Sequence, residues 1–123
     1  MDHHTHRVIA VVDDDPGVRD SLRFLLETSG HTVEAYDSGI RFLEEADPAR
    51  LACLVLDQHM PQMSGLDLLA RLRLRGVDAP ALLVTSTPDS ATARRATELG
   101  VLAVIEKPLS QDELLTRIET VMN

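Results

Sequence analysis

Five short apolar runs, Val8 to Val12, Thr32 to Tyr36, Leu51 to Leu56, Ala81 to Val84 and Val101 to Ile105, alternate with segments whose apolar residues recur at helical spacing. That alternation restricts the fold more than any other feature of the chain. Three of the runs are almost wholly apolar, which marks strands covered on both faces, since a strand with one wet face would alternate polar and apolar residues. Between the runs, Val18, Leu22, Leu25 and Leu26 mark one helical face, and Leu114, Ile118, Val121 and Met122 mark another. Helix boundaries agree: Pro16 follows Asp15 where an N-cap and first-turn proline belong, and Ser110 with Glu113 forms a capping-box pattern. Gly30, Gly76 and Gly100 stand where helices should stop. Five βα units result. They predict an α/β, doubly wound, five-stranded parallel sheet flanked by five helices, with right-handed crossovers.

Length and charge narrow the function classes. A chain of 123 residues, 44% hydrophobic and 26% charged, is long enough for one domain with a real core. The single cysteine, Cys53, rules out an internal disulfide or a cysteine zinc site. It sits inside an apolar run, as a packing residue would, and a reducing, cytoplasmic setting is expected. No apolar run approaches the roughly 18 residues of a membrane span, and the start "MDHHTHRV" lacks the apolar stretch of a signal peptide. With 12 basic against 20 acidic residues and a net charge of -8, direct nucleic-acid binding by this domain is not expected. Residues 1–6, with His3, His4 and His6, read as a flexible N-terminal tail, and the domain as residues 7–123.

In a doubly wound sheet, ligands sit beyond the carboxyl ends of the strands, so the polar residues that end the apolar runs should converge. They are Asp13, Asp14 and Asp15 after the first run, Asp57 after the third, Thr85 and Ser86 after the fourth, and Glu106 and Lys107 after the fifth. Acids, a hydroxyl and an ammonium, without a serine and histidine pair for acyl transfer, suit phosphoryl chemistry. Converging carboxylates with open positions suit Mg²⁺. Asp57 is placed to act as a carboxylate nucleophile, with Lys107 and Thr85 to stabilise charge on the phosphoryl oxygens. Asp15 reads instead as a helix cap, and Ser86 as a small filler beside the site.

The segments "VVDDD", "LVLDQHMPQMSG", "LLVTS" and "IEKP", in this order and spacing, resemble a response-regulator receiver domain of the CheY-like superfamily. The resemblance covers nearly the whole chain, and the finer wording of "MPQMSGLDLLARLRLRG" and "VIEKPLSQDELL" is similar to FixJ-type receivers. It implies strand order 2-1-3-4-5 and a cis Lys107–Pro108 bond. It further implies that Asp57 is the phosphoacceptor of a two-component system, served by a sensor histidine kinase or phosphotransfer protein. Asp13, Asp14, Asp57 and the main-chain carbonyl of His59 would hold Mg²⁺, or Mn²⁺ in its place. Thr85 and Lys107 would read the arrival of the phosphoryl group. Such a domain is a signalling receiver, catalysing only its own phosphotransfer and autodephosphorylation, with a second copy as a candidate partner on phosphorylation. His59 and Thr87 occupy positions that in the family modulate the lifetime of the phosphorylated form.

Two departures stand out. The aromatic switch residue usual three positions before the lysine is Val104 here, and Leu109 replaces the phenylalanine that commonly follows Lys-Pro. FixJ-type receivers usually precede a DNA-binding domain, so either a single-domain regulator or a receiver cut from a longer one is expected. Two other readings compete: a receiver-like binding module independent of phosphorylation, and a haloacid-dehalogenase-type phosphatase using Asp13 and Asp15. The latter fits poorly, because Gly17 stands where those enzymes carry Thr or Val and their core needs more chain.

Overall fold

The computed structural model describes residues 7–122. The tail expected over residues 1–6 lies outside them. The elements are β1 (Val8–Val12), α1 (Pro16–Thr28), β2 (Val33–Tyr36), α2 (Gly39–Glu45), β3 (Leu51–Asp57), α3 (Gly65–Leu74), β4 (Ala81–Thr85), α4 (Ser90–Glu98), β5 (Ala103–Glu106) and α5 (Gln111–Met122), with a 3₁₀ turn at Pro48–Arg50. The five strands form one sheet in the order β2-β1-β3-β4-β5, every pair parallel.

Strand residues alternate between two cores because successive side chains point to opposite faces. Val8, Ala10, Val12, Leu54 and Leu56 pack with Phe42 of α2, with Leu66, Leu69 and Leu72 of α3 and with Ala96 of α4. Ile9, Val11, Cys53, Val55 and Val84 pack on the other face with Leu22 and Leu26 of α1 and Leu114 and Ile118 of α5. The continuously apolar runs are therefore the central strands β1, β3 and β4, buried throughout, whereas edge strands β2 and β5 are half-buried. Met122 departs from the expected apolar face of α5 and lies 37% exposed. Burial pushes the Cys53 thiol up to about 12, consistent with a packing residue.

Local chemistry sets the boundaries. Asp15 caps α1 by accepting the Gly17 and Val18 N–H groups, with Pro16 in the first turn. Ser110 Oγ accepts the Glu113 N–H at the start of α5. The fifth strand begins later than its apolar run, and the cause is the end of α4. Gly100, at φ 78°, turns the chain so that the Val101 N–H bonds back to the Ala96 carbonyl at 2.9 Å, and only Leu102 reaches the sheet, at Ala81. In contrast, β3 and β4 each run one residue past their apolar runs, carrying Asp57 and Thr85 into the ladder opposite Val84 and Glu106. Among the described residues, no helix is long and apolar enough to cross a membrane.

Glycine at position 65 is required by close approach. A Cβ there would lie 2.6 Å from the Asp57 carbonyl oxygen and 3.1 Å from Leu83. Both are parts of the central sheet that cannot yield cheaply. Gly65→Ala should cost about 1–3 kcal/mol in urea unfolding, while Leu74→Ala, at a side chain 89% exposed, should stay within about 0.5 kcal/mol of the parent.

Candidate functional site

At the carboxyl edge of the sheet, the ends of β1, β3 and β5 bring Asp13, Asp14, Asp57 and Lys107 together. Asp13 and Asp57 are buried at 2% and 3% exposure, and Asp14 is exposed. One carboxylate oxygen from each of the three acids lies within 4.8 Å of the others. Lys107 Nζ stands 3.2 Å from Asp57 Oδ1 and 3.8 Å from Asp13 Oδ2. Part of the acidic charge is thus met from within the chain. Three carboxylates facing one ammonium still leave negative charge in excess, and two of the three are withdrawn from water. The donor set is all oxygen, converging and open on the Asp14 side, which fits a small hard divalent cation that keeps several waters.

The backbone around these groups is tied tightly. The Asp13 N–H donates to the Tyr36 carbonyl at 3.1 Å, and Arg19 donates to the Asp13 carbonyl at 2.7 Å. Asp13 Oδ1 accepts the Asp15 N–H at 2.9 Å. The Lys107 N–H donates to the Thr85 carbonyl at 2.9 Å, and the Lys107–Pro108 bond is cis. Gln58, which sequence reasoning passed over, fastens the loop after Asp57. Its N–H donates to the Val84 carbonyl, its own carbonyl accepts the Gly65 N–H, and its side-chain oxygen accepts the Leu66 N–H at 2.9 Å. No residue pattern announces that role, because it depends on the register of β3 against β4. Ser64 and Asp67 close a reciprocal capping box at the head of α3, and Asp67 also pairs with Arg95 of α4 at 2.9 Å.

Thr85 is fully buried at the end of β4, and its hydroxyl faces the side chain of His59 rather than solvent. Ser86 lies exposed next to it. Val104 is half-buried in the core on the α3 and α4 side, with no ring to fill the position. Leu109 packs against the core shared with α1 and α5. Asp15, whose carboxylate is engaged by the α1 cap, is not one of the three converging acids. The D-x-D reading of Asp13 and Asp15 is therefore set aside.

Burial is the largest influence on Asp13 and raises its carboxyl above the ordinary 3.8; the Asp15 N–H pulls it down, Asp57 pushes it up, Lys107 pulls it down and Asp14 adds a further push. For Lys107, burial alone would lower the ammonium, but the hydrogen bond to Asp57 and the charges of Asp13, Asp57 and Asp14 outweigh it, so the net shift is upward from 10.5. Each group is held by the other's charge.

A parallel 2-1-3-4-5 sheet with acids and a lysine at its carboxyl edge defines a receiver-like α/β domain, and comparison with known proteins agrees. A family model for the response regulator receiver domain matches residues 9–119. The transcriptional regulatory protein FixJ of Bradyrhizobium diazoefficiens is 37% identical over 91% of this chain and 55% of its own length. The structure of the response regulator StyR superposes with a TM-score of 0.88 at 36% identity, covering 95% of this chain and 59% of that one. The FixJ-N structure gives 0.80 at 30% identity, covering 94% and 93%. The chain belongs to the response regulator receiver domain family of two-component systems, a signalling family whose members interact with histidine kinases. It spans about half the length of the curated FixJ relatives it matches.

Because the folded protein disfavours ionised Asp13, that group contributes stability when protonated, present at low pH and lost as pH rises through its raised folded value. In metal-free buffer, Asp13→Asn should therefore raise the urea midpoint at neutral pH. The gap should close as pH falls through the raised range towards 3.8, and an unchanged gap would remove burial and repulsion at Asp13 as a cost to folding.

Proposed function

We propose that Asp57 accepts a phosphoryl group from a histidine kinase or phosphotransfer protein, and that its arrival changes the surface the domain presents to an effector or partner. One observation carries the reading. Asp57, buried at the end of a central strand, is 3.2 Å from Lys107 and beside Asp13 and Asp14. A buried carboxylate with its angle set by the β3 ladder is a fixed nucleophile, and an adjacent ammonium can follow charge from the carboxylate to the phosphoryl oxygens as it develops. An Asp57 oxygen attacks phosphorus, the donor's imidazole leaves with the bonding pair, and the product is an aspartyl phosphate. Lys107 then pairs with one phosphoryl oxygen, and the Thr85 hydroxyl donates to another. Asp13, Asp14, Asp57 and the His59 main-chain carbonyl are the residues that would hold Mg²⁺ or Mn²⁺. When bound, that cation neutralises the remaining phosphoryl charge.

An apolar groove between α1 and α5, lined by Val18, Leu22, Leu25, Leu109 and Leu114, opens beside Lys107. It supports approach of the phosphodonor from that side. We assign residues 7–123 as the receiver domain, with Lys107 and Thr85 acting at the site and His59, Thr87, Ser86 and Val104 as modulators of lifetime and output.

Intact-protein mass after incubation with acetyl phosphate tests the reading. A single Mg²⁺-dependent phosphoryl adduct should form on the wild type and vanish in Asp57→Asn. Absence of an adduct on a protein that still binds Mg²⁺ would favour a phosphorylation-independent binding module.

A further inference from the structure

His59 leaves the loop after Asp57 and extends its ring to the end of β4. Its Nε2 stands 2.9 Å from Thr85 Oγ1 and 2.8 Å from Thr87 Oγ1. Thr85 is buried and Thr87 exposed, so the ring joins an inner hydroxyl to an outer one. Thr85 Oγ1 also accepts the Thr87 N–H at 3.2 Å, which occupies one of its two lone pairs and leaves its own proton available to the ring nitrogen. Two residues beyond Thr87, Asp89 caps α4 by accepting the Thr92 N–H at 2.7 Å. The chain from Thr85 through Thr87 to α4 is thus short and hydrogen-bonded, and one imidazole spans its first half.

We infer that His59 is a positioning residue whose Nε2 accepts the Thr85 hydroxyl proton in the resting domain, and that it releases Thr85 when the phosphoryl group on Asp57 takes over that hydrogen bond. The inference rests on the reading of Asp57 as phosphoacceptor and adds how its state reaches α4. Thr85 has a single hydroxyl proton, so ring and phosphoryl oxygen compete for it; the proton stays on Oγ1 and only its acceptor changes. Losing Thr85, the ring keeps Thr87, and the Thr85 to Ser90 segment shifts with them. His59 and Thr87 in this way supply a polar link between the site and α4, where the half-buried Val104 has no ring to supply one.

Two measurements test it. In the resting protein, a long-range ¹H–¹⁵N spectrum should show His59 Nε2 unprotonated, and Thr85→Val should shift that resonance. A protonated Nε2, or one indifferent to Thr85→Val, overturns the resting contact whatever happens at Asp57. With the adduct confirmed by mass, the amides of Ser90 to Ala93 should move on phosphorylation of the wild type, and most of that movement should be lost in His59→Ala. Thr87→Val, at an exposed side chain whose hydroxyl meets the His59 ring, should lose part of it, and Thr87→Ser should restore it. Full movement retained in both His59→Ala and Thr87→Val overturns the link. A wild type that takes no phosphoryl group overturns the Asp57 reading and the release step, while the ring spectrum still judges the resting contact.

Discussion

The interaction on which the rest depends is the meeting of two buried carboxylates, Asp13 and Asp57, with the ammonium of Lys107. Water has been withdrawn from both acids, and apolar neighbours offer them no hydrogen bonds in its place. It is tolerable because the lysine is close to both and because Asp13 also accepts a backbone N–H. The core around the strands supplies stability, and the edge of the sheet uses some of it to keep mutually repelling groups in place. Among the described residues no buried side-chain N or O lacks a hydrogen-bond partner. The strain at the site is therefore one of charge, not of missing hydrogen bonds.

Rigid placement follows from where the acids stand. Asp57 is a full member of the β3 ladder, and the loop that follows is fastened by Gln58 from the main chain and from its side chain. Gly65 brings α3 against the Asp57 carbonyl, so the helix start and the acid cannot move independently. Lys107 is held through its N–H to Thr85. On the far side, the Asp67–Arg95 pair ties α3 to α4, but both side chains are nearly half exposed and the pair is correspondingly weak. Of the residues of α4 only Ala96 is buried, so that helix is held by less apolar packing than the strand ends beside it.

Much of the architecture was legible beforehand because it rests on local rules. Apolar runs too continuous for a one-faced sheet announced β1, β3 and β4, and Asp15, Pro16 and Gly100 announced helix ends through capping and left-handed geometry. The late start of β5 was not legible: whether Val101 joins the helix cap or the sheet is a competition between two backbone partners, Ala96 and Ala81, that apolarity cannot rank. Met122 carried the right spacing for the buried face of α5 yet lies at its exposed end. Periodicity says which residues share a face, not where the core stops.

By itself, then, the sequence determined the element order, the two-sided burial of the central strands and the gathering of Asp13, Asp14, Asp57, Thr85 and Lys107 towards one edge, because strand period and strand ends are written in nearest neighbours along the chain. Tertiary structure decided which of those groups touch. Lys107 against Asp57, Gln58 as the fastening of the loop and His59 between two threonine hydroxyls all depend on strand register and on the reach of single side chains. Those contacts join residues up to 50 positions apart, and distance in space at such separations is set by packing of the whole sheet, which no local pattern records.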